Sequence, residues 1–293
     1  VEGDLWLNFL QAAKEYGAKI LLINGRLSDR SFKRYSYFKG YSKWVFSKLD
    51  YCLLQNENYL NLFQRLGIAP SKLAVTGNIK FDIPFQLLSE SALKDLKKAL
   101  GITSFDKVLT IGSTHKGEER LLLNLLGPLL EQNSSLKILL APRHPERFLE
   151  VEKELIQSKV SFCKWSTHLS SPCKERIILI DTMGLLRQCY EVSHVAIVGG
   201  SFVNIGGHNL LEPLEYGVPV IFGPYIHKQK ELADLMELSK VGFKIELDQL
   251  AETVLNLIDL DTVADKAKAF LQAHHGAALR SWEVAQKLLK EIT

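Results

Sequence analysis

The sequence has no run of about 18 consecutive apolar residues, and its first residues show no charged stretch followed by an apolar one, so neither a spanning helix nor a secretory leader is expected. Cysteine is scarce. Cys52, Cys163, Cys173 and Cys189 stand far apart, with no C-x-x-C pair and no histidine at metal-ligand spacing, which argues against a disulfide framework or a zinc site and suggests a reducing compartment. Excess charge is small too: a formal net charge of +3 over 293 residues does not by itself argue for nucleic acid. With 46% hydrophobic and 24% charged residues the chain falls outside the disordered, collagen-like and coiled-coil classes. No repeat of fixed period and no low-complexity tract is visible.

What is present is alternation. Short Val-, Ile- and Leu-rich runs (KILLIN, YCLLQ, KLAVTG, KVLTIGST, KILLAPRH, RIILID, HVAIVGGS and PVIFGP) are separated by longer stretches of helical period. That pattern predicts βαβ units and an α/β fold with parallel sheets covered on both faces. The first three strands, near 19–24, 50–54 and 73–77, form one set, and five more follow from Lys107 after a polar helix at Ser89–Leu100. The organisation expected is a Rossmann-like domain at 1–85 with too few strands to be complete, a second at 86–275, and a terminal helix at 276–293 packing back toward the first.

The densest motif runs from Val195 to Pro224. A buried strand ends in Gly199-Gly200-Ser201, a loop leads to Gly206 and Gly207, and a helix is expected to begin around His208 and Asn209 and stop at Gly217. Ligands of open α/β sheets bind at the carboxyl ends of strands, where glycines let backbone N–H groups approach a phosphate. Asn209 and Glu212, three apart, share one helix face, and Glu212 could accept hydrogen bonds from ribose hydroxyls. The plain alternative is a glycine turn and an acid matched to the helix dipole.

Three further strand ends carry candidates. Gly112, Ser113 and Thr114 precede a helix opening with Glu118 and Glu119, where hydroxyls and N–H groups could hold a phosphate or a carboxylate, or could merely cap the helix. Arg143 follows a strand and could clamp an anion through two parallel hydrogen bonds, whereas Arg147 could equally be a solvated surface charge. Thr182, Met183 and Gly184 could line a base pocket, with Met183 as core filler the alternative.

In the first domain, residues 26–48 hold seven Lys or Arg against Asp29 alone, interleaved with Phe32, Tyr35, Tyr37, Phe38, Tyr41, Trp44 and Phe46. A basic and aromatic face of this kind suits anionic lipid headgroups, with nucleic acid the rival and a solvated helix face the plain alternative. Within or beside it Arg26, Ser28 and Arg30 are acceptor-side candidates, joined by Asn78 and Lys80 after the third strand, where Lys80 could neutralise an anion or the segment could be a hinge.

Taken together, DLWLN at Asp4, NGRLSDRS at Asn24, TGNIKFD at Thr76, GSTHKGEE at Gly112, APRHPERF at Ala141, DTMGLL at Asp181 and GGHNLLEPLEYGVPVIFGP at Gly206 resemble, in order and over nearly the whole chain, the 3-deoxy-D-manno-oct-2-ulosonic acid (Kdo) transferases of lipopolysaccharide biosynthesis. The start VEGDLWLN and Leu185 look most like the chlamydial branch. The resemblance implies a GT-B fold, two Rossmann-like domains facing a cleft, and an inverting transfer of Kdo from CMP-Kdo to a lipid A precursor. It implies no catalytic metal or other cofactor, and work at the cytoplasmic face of a Gram-negative inner membrane. In the family a segment ahead of DLWLN carries a membrane-associating stretch and a Gly-Glu pair supplying the general base. The chain opens at Val1 rather than Met, so a fragment is expected, with the base upstream of Val1 and transfer by this chain alone impaired; His115 or Glu118 would be the substitutes. Many relatives carry an acid where Leu185 stands, and no role of that acid transfers. A UDP-sugar GT-B enzyme or epimerase, or a non-catalytic lipid-binding module, would share parts of this pattern.

Overall fold

A computed structural model describes residues 5–82, 86–167, 172–260 and 262–290. The chain divides into two compact units, one of Val1–Pro84 with Leu271–Thr293 and one of Phe85–Phe270.

The first unit is built on three parallel strands in the order β1 (Leu21–Gly25), β2 (Tyr51–Leu54), β3 (Leu73–Val75). Cys52, Leu53 and Leu54 of the middle strand are wholly buried, as two-sided cover by helices requires. After β3 the chain is locked in place by short-range polar contacts. Asn24 Oδ1 accepts the Ile79 N–H at 3.1 Å, and Asn78 Oδ1 accepts that of Lys80 at 3.0 Å. The terminal helix Ala277–Lys290 packs on this unit: Arg280 donates to the Thr76 carbonyl at 2.8 Å, Ser281 bonds the Thr76 hydroxyl at 3.0 Å, and the Asp82 carboxylate receives the Gly276 and Ala278 N–H groups at the helix start. Much of TGNIKFD therefore anchors a helix.

The second unit holds a sheet of seven parallel strands: β4 (Lys107–Thr114), β5 (Leu136–Pro142), β6 (Phe162–Lys164), β7 (Ile177–Leu179), β8 (Val195–Val198), β9 (Val220–Phe222) and β10 (Gly242–Lys244). Their order is β10-β9-β8-β4-β5-β7-β6. The five strands expected from apolar runs occupy the centre. Both extra strands, FCK and GFK, are three-residue edges too short to register as runs. One face is packed by Leu122, Leu126 and Val254 from helices Glu118–Gln132 and Leu250–Ile258, the other by Leu96, Leu100 and Cys189.

Cysteine usage needs correction: Cys163 and Cys173 are disulfide-bonded, with Cα atoms 6.3 Å apart. Ten residues separate them, but β6 runs alongside β7, so the segment entering β7 returns past Cys163. Cys52 and Cys189 stay free and buried, and burial pushes both thiols up to about 12.

Candidate functional site

From β4 the chain steps outward through β5 to the β6–β7 edge, then returns to place β8 on the other side of β4. The two connections leave β4 and β8 in opposite directions, and the carboxyl ends of such a pair open a crevice. Both ends are shaped for close approach. A side chain at Gly199 would lie 2.5 Å from the Ser113 carbonyl, and one at Gly112 would lie 2.1 Å from the Tyr190 hydroxyl. Ser113 itself takes a left-handed φ of 58° where the β4–β5 register shifts by one residue, which turns its side chain out of the strand alternation.

The Gly-rich loop after β8 is held from below by a carboxylate. Glu118, fully buried at the start of its helix, accepts N–H groups from His115 at 2.9 Å, Gly200 at 2.7 Å, Ser201 at 3.1 Å and Phe202 at 2.9 Å. Burial raises its pKa while the Gly200, Phe202 and His115 amides pull the other way. This corrects the idea of Glu118 as a substitute base, because both oxygens face backbone donors. Glu119 is also committed, receiving the Arg147 guanidinium at 2.6 and 3.1 Å and the Thr114 hydroxyl at 2.7 Å. Arg147 is thus buried and paired rather than a solvated surface charge.

The glycine motif is corrected in a similar way. Gly206 and Gly207 donate their N–H groups to the Gly200 carbonyl at 3.1 and 2.7 Å, so these amides close the loop instead of facing a phosphate. Both residues have positive φ, and the space a side chain would need is taken by His227, Lys228 and Ile226. The helix begins later than expected and spans only Leu211–Glu215, ending ahead of Gly217 at φ +76. Its entrance is built by Asn209, which accepts the Leu211 N–H at 3.1 Å and donates to Glu212 at 3.2 Å.

Above these supports lies a cavity of about 320 Å³, within the roughly 300–1,000 Å³ usual for small-ligand sites. Of the expected residues, Ser113 and Arg143 line it from the ends of β4 and β5, and Thr182, Met183 and Gly184 from the loop after β7. His208, Asn209 and Glu212 complete it from the Gly-rich side, while Gly112, Thr114, Gly206 and Gly207 support without lining. Met183 is 55% exposed, so it is no core filler. Sequence reasoning missed Ala141, Pro142 and Ile180, although the rule that ligands meet strand ends pointed at them, and it missed Leu186 and Arg187 one turn further. Arg187 is ion-paired with Glu215, whose carboxyl is pushed up to about 7, mainly by burial.

The wall formed by His208 is electropositive. Burial chiefly, together with His115, Arg143, Lys228 and His144, lowers the His208 pKa to about 4, and burial with His144, Arg147 and Arg143 lowers that of His115. A cavity lined by both Arg143 and Glu212 offers a cation for an anion and a carboxylate for a hydroxyl-bearing group. Among the described residues no cluster of three His, Cys, Asp or Glu side chains is placed to hold a metal ion.

On the acceptor-side candidates, the Ser28 hydroxyl caps the helix Asp29–Tyr37 by accepting the Ser31 N–H at 3.2 Å, and Arg26 and Arg30 are exposed. With Asn78 and Lys80 they belong to the first unit, and none of them lines the cavity of the second. Tyr37, Phe38, Tyr41 and Trp44, on and between this helix and Lys39–Ser47, are 82%, 57%, 50% and 45% exposed, whereas Phe46 faces the core.

Residues 1–83 match the family model described as 3-deoxy-D-manno-octulosonic-acid transferase (kdotransferase). The 3-deoxy-D-manno-octulosonic acid transferase of Chlamydia trachomatis serovar A is 37% identical over 289 residues, covering 97% of this chain and 66% of the relative. That of Chlamydia pneumoniae is 36% identical over 294 residues, covering 98% and 67%. The chain thus spans about two thirds of the length of these relatives. Among solved structures, the C-terminal CMP-Kdo binding domain of WaaA from Acinetobacter baumannii superposes with a TM-score of 0.58 at 29% identity, covering 62% of this chain and 97% of that domain.

Proposed function

Because the chain belongs to the family of 3-deoxy-D-manno-octulosonic acid (Kdo) transferases, we propose that its second unit binds CMP-Kdo in the cavity at the β4, β5, β7 and β8 strand ends, as the donor of a glycosyl transfer in lipopolysaccharide synthesis. One observation carries this reading: the cavity lies in a GT-B type Rossmann-like body similar to a CMP-Kdo binding domain, and both Arg143 and Glu212 line it. Glu212, oriented by Asn209, receives the ribose hydroxyls; Thr182, Met183 and Gly184 contact the base; Arg143, Ser113 and His208 meet the phosphate.

The acceptor is a lipid A precursor of the lipid IVA type, and the transfer inverts configuration. An acceptor hydroxyl oxygen attacks the anomeric carbon, the bond to the phosphate oxygen breaks, the hydroxyl proton passes to a base, and CMP departs. Positive groups already fixed at the phosphate oppose the charge that grows there, so the reaction needs no metal or other cofactor in this reading. The basic and aromatic helices of the first unit rest on the anionic cytoplasmic surface of the inner membrane, Trp44 and Phe38 entering the headgroups.

Thermal denaturation with nucleotides tests the donor site. Saturating CMP at about 100 times its Kd stabilises the folded chain by about 2.7 kcal/mol, and UMP or UDP at the same concentration gives much less. Glu212→Ala abolishes the CMP shift. Equal shifts with UDP would favour the UDP-sugar reading, and an undiminished shift in Glu212→Ala would remove Glu212 from the site.

A further inference from the structure

His115 and His208 reach the same point from two loops. Their Nε2 atoms are 2.6 Å apart, their ring planes 2° apart and their centroids 4.9 Å apart. Atoms that close cannot belong to rings lying face to face, so the imidazoles meet edge to edge along one N–H···N hydrogen bond. The bond fixes the protonation pattern: one ring donates from Nε2, and the other accepts there and carries its proton on Nδ1. The donating ring keeps a free Nδ1 lone pair. A second proton can therefore be added at that Nδ1 without breaking the bridge, and the pair becomes a single cation.

The surroundings decide when this happens. His208 lines the cavity, while His115 stands behind it with the His144 ring 5.3 Å away. Arg143 from the β5 loop and Lys228 from the loop after β9 face the pair with positive charge. Arg147 does so as well, though Glu119 neutralises it, and Glu118 is turned to the backbone N–H of His115 rather than to its ring. With the cavity empty, burial and the remaining cations keep the pair uncharged. An anion in the cavity reverses that balance.

We propose that the His115–His208 pair takes up one proton as the anionic part of the donor nucleotide enters the cavity, so that donor binding and protonation of the pair are coupled. The inference rests on the donor-site reading above. A single negative charge about 5 Å from the pair, at an effective dielectric near 20, raises its pKa by about 2. From a starting value of about 4 for His208, that makes binding about twofold tighter at pH 6 and about tenfold tighter at pH 5 than an uncoupled site would give.

The test is calorimetric titration of the chain with CMP at pH 7.5 and pH 5, each in two buffers of different ionisation enthalpy, for the wild type, His208→Gln and His115→Gln. Comparison with the variants cancels the ionisation of the CMP phosphate itself. The wild type gains about tenfold in affinity relative to His208→Gln between the two pH values, and takes up close to one more proton per CMP at pH 5; His115→Gln, which keeps the cavity-lining imidazole, retains part of the gain. The ring signals of His115 and His208 in NMR spectra of the wild type, which need no variant to fold, move their titration upward on addition of CMP. Binding of CMP with the same pH dependence in all three proteins, or with unmoved ring titrations, would overturn the coupling and leave the donor site standing. No CMP binding at either pH would overturn both.

Discussion

Replacing Glu118 by Gln changes one atom for another of nearly equal size, yet it strikes the support of the whole crevice. In the native protein Oε2 accepts the His115 and Gly200 N–H groups, and Oε1 those of Ser201 and Phe202. A Gln amide can put its oxygen at only one of these positions. In either orientation its NH2 group faces two backbone donors, which are left unsatisfied in a site closed to water. Each orphaned N–H costs about 1–3 kcal/mol, so the substitution destabilises by about 2–6 kcal/mol, a large share of the roughly 5–15 kcal/mol that holds a protein folded. For a body of this size 1 kcal/mol moves Tm by about 2–4 °C, and the midpoint drops by about 4–24 °C. Because Gly200 to Phe202 carry the loop that presents His208, residual folded protein also loses CMP affinity. Circular dichroism melting with a nucleotide titration below the transition reads both effects. A variant melting within about 2 °C of wild type, with CMP affinity intact, would show that the four N–H contacts are not what holds the loop.

Other perturbations separate the remaining supports. Gly112→Ala drives a methyl to 2.1 Å from the buried Tyr190 hydroxyl and destabilises by about 1–3 kcal/mol or more through overpacking; urea midpoints check it against Gly117→Ala, where the space is open and only the positive φ of 92° costs about 1 kcal/mol. The His208 pKa is depressed to about 4, so the unfolded chain binds more protons between there and 6.5, and stability falls as pH drops through that window; His208→Gln flattens this part of a stability–pH curve. Glu215 works in the opposite sense: its carboxyl, raised to about 7, contributes stability that is lost as pH climbs from about 4.5 through 7, and Glu215→Gln removes that slope. The double variant Phe38→Ala/Trp44→Ala lowers sedimentation with anionic vesicles several-fold without changing Tm by more than about 2 °C, since both side chains are largely exposed; equal sedimentation would detach this face from the membrane.

What could be read from the sequence and what could not divides along a physical line. Strands β4, β5 and β8 announce themselves because a strand buried on both faces is apolar along most of its length, as ILLA and VAIV are throughout and VLTIG is but for the buried Thr110. The switch of direction between β4 and β8 is invisible in one dimension, but the glycines at both strand ends betray it: only Gly199 leaves room for the Ser113 carbonyl. The wall of the cavity was legible for the same reason, since a strand end followed by a helix start is a local pattern. The roles inside that wall were not. Arg143 and Arg147 sit four residues apart in one motif, and nothing local tells that one meets the cavity while the other is bound to Glu119 on a different helix.

The same limit applies to the glycine motif, whose local pattern does not tell which acceptor its amides meet. Gly206 and Gly207 directly precede the cavity-lining His208, as a phosphate-binding loop would, but both of their amides are already taken by the Gly200 carbonyl. A loop that satisfies its own amides is rigid before the ligand arrives, and its recognition groups must be side chains. In the proposed donor site anion binding would then fall to Arg143 and His208, and its strength would depend on pH in a way that a backbone cradle, with no proton to gain, would not. The pH profile of CMP binding therefore distinguishes side-chain from main-chain recognition even where both would occupy the same space.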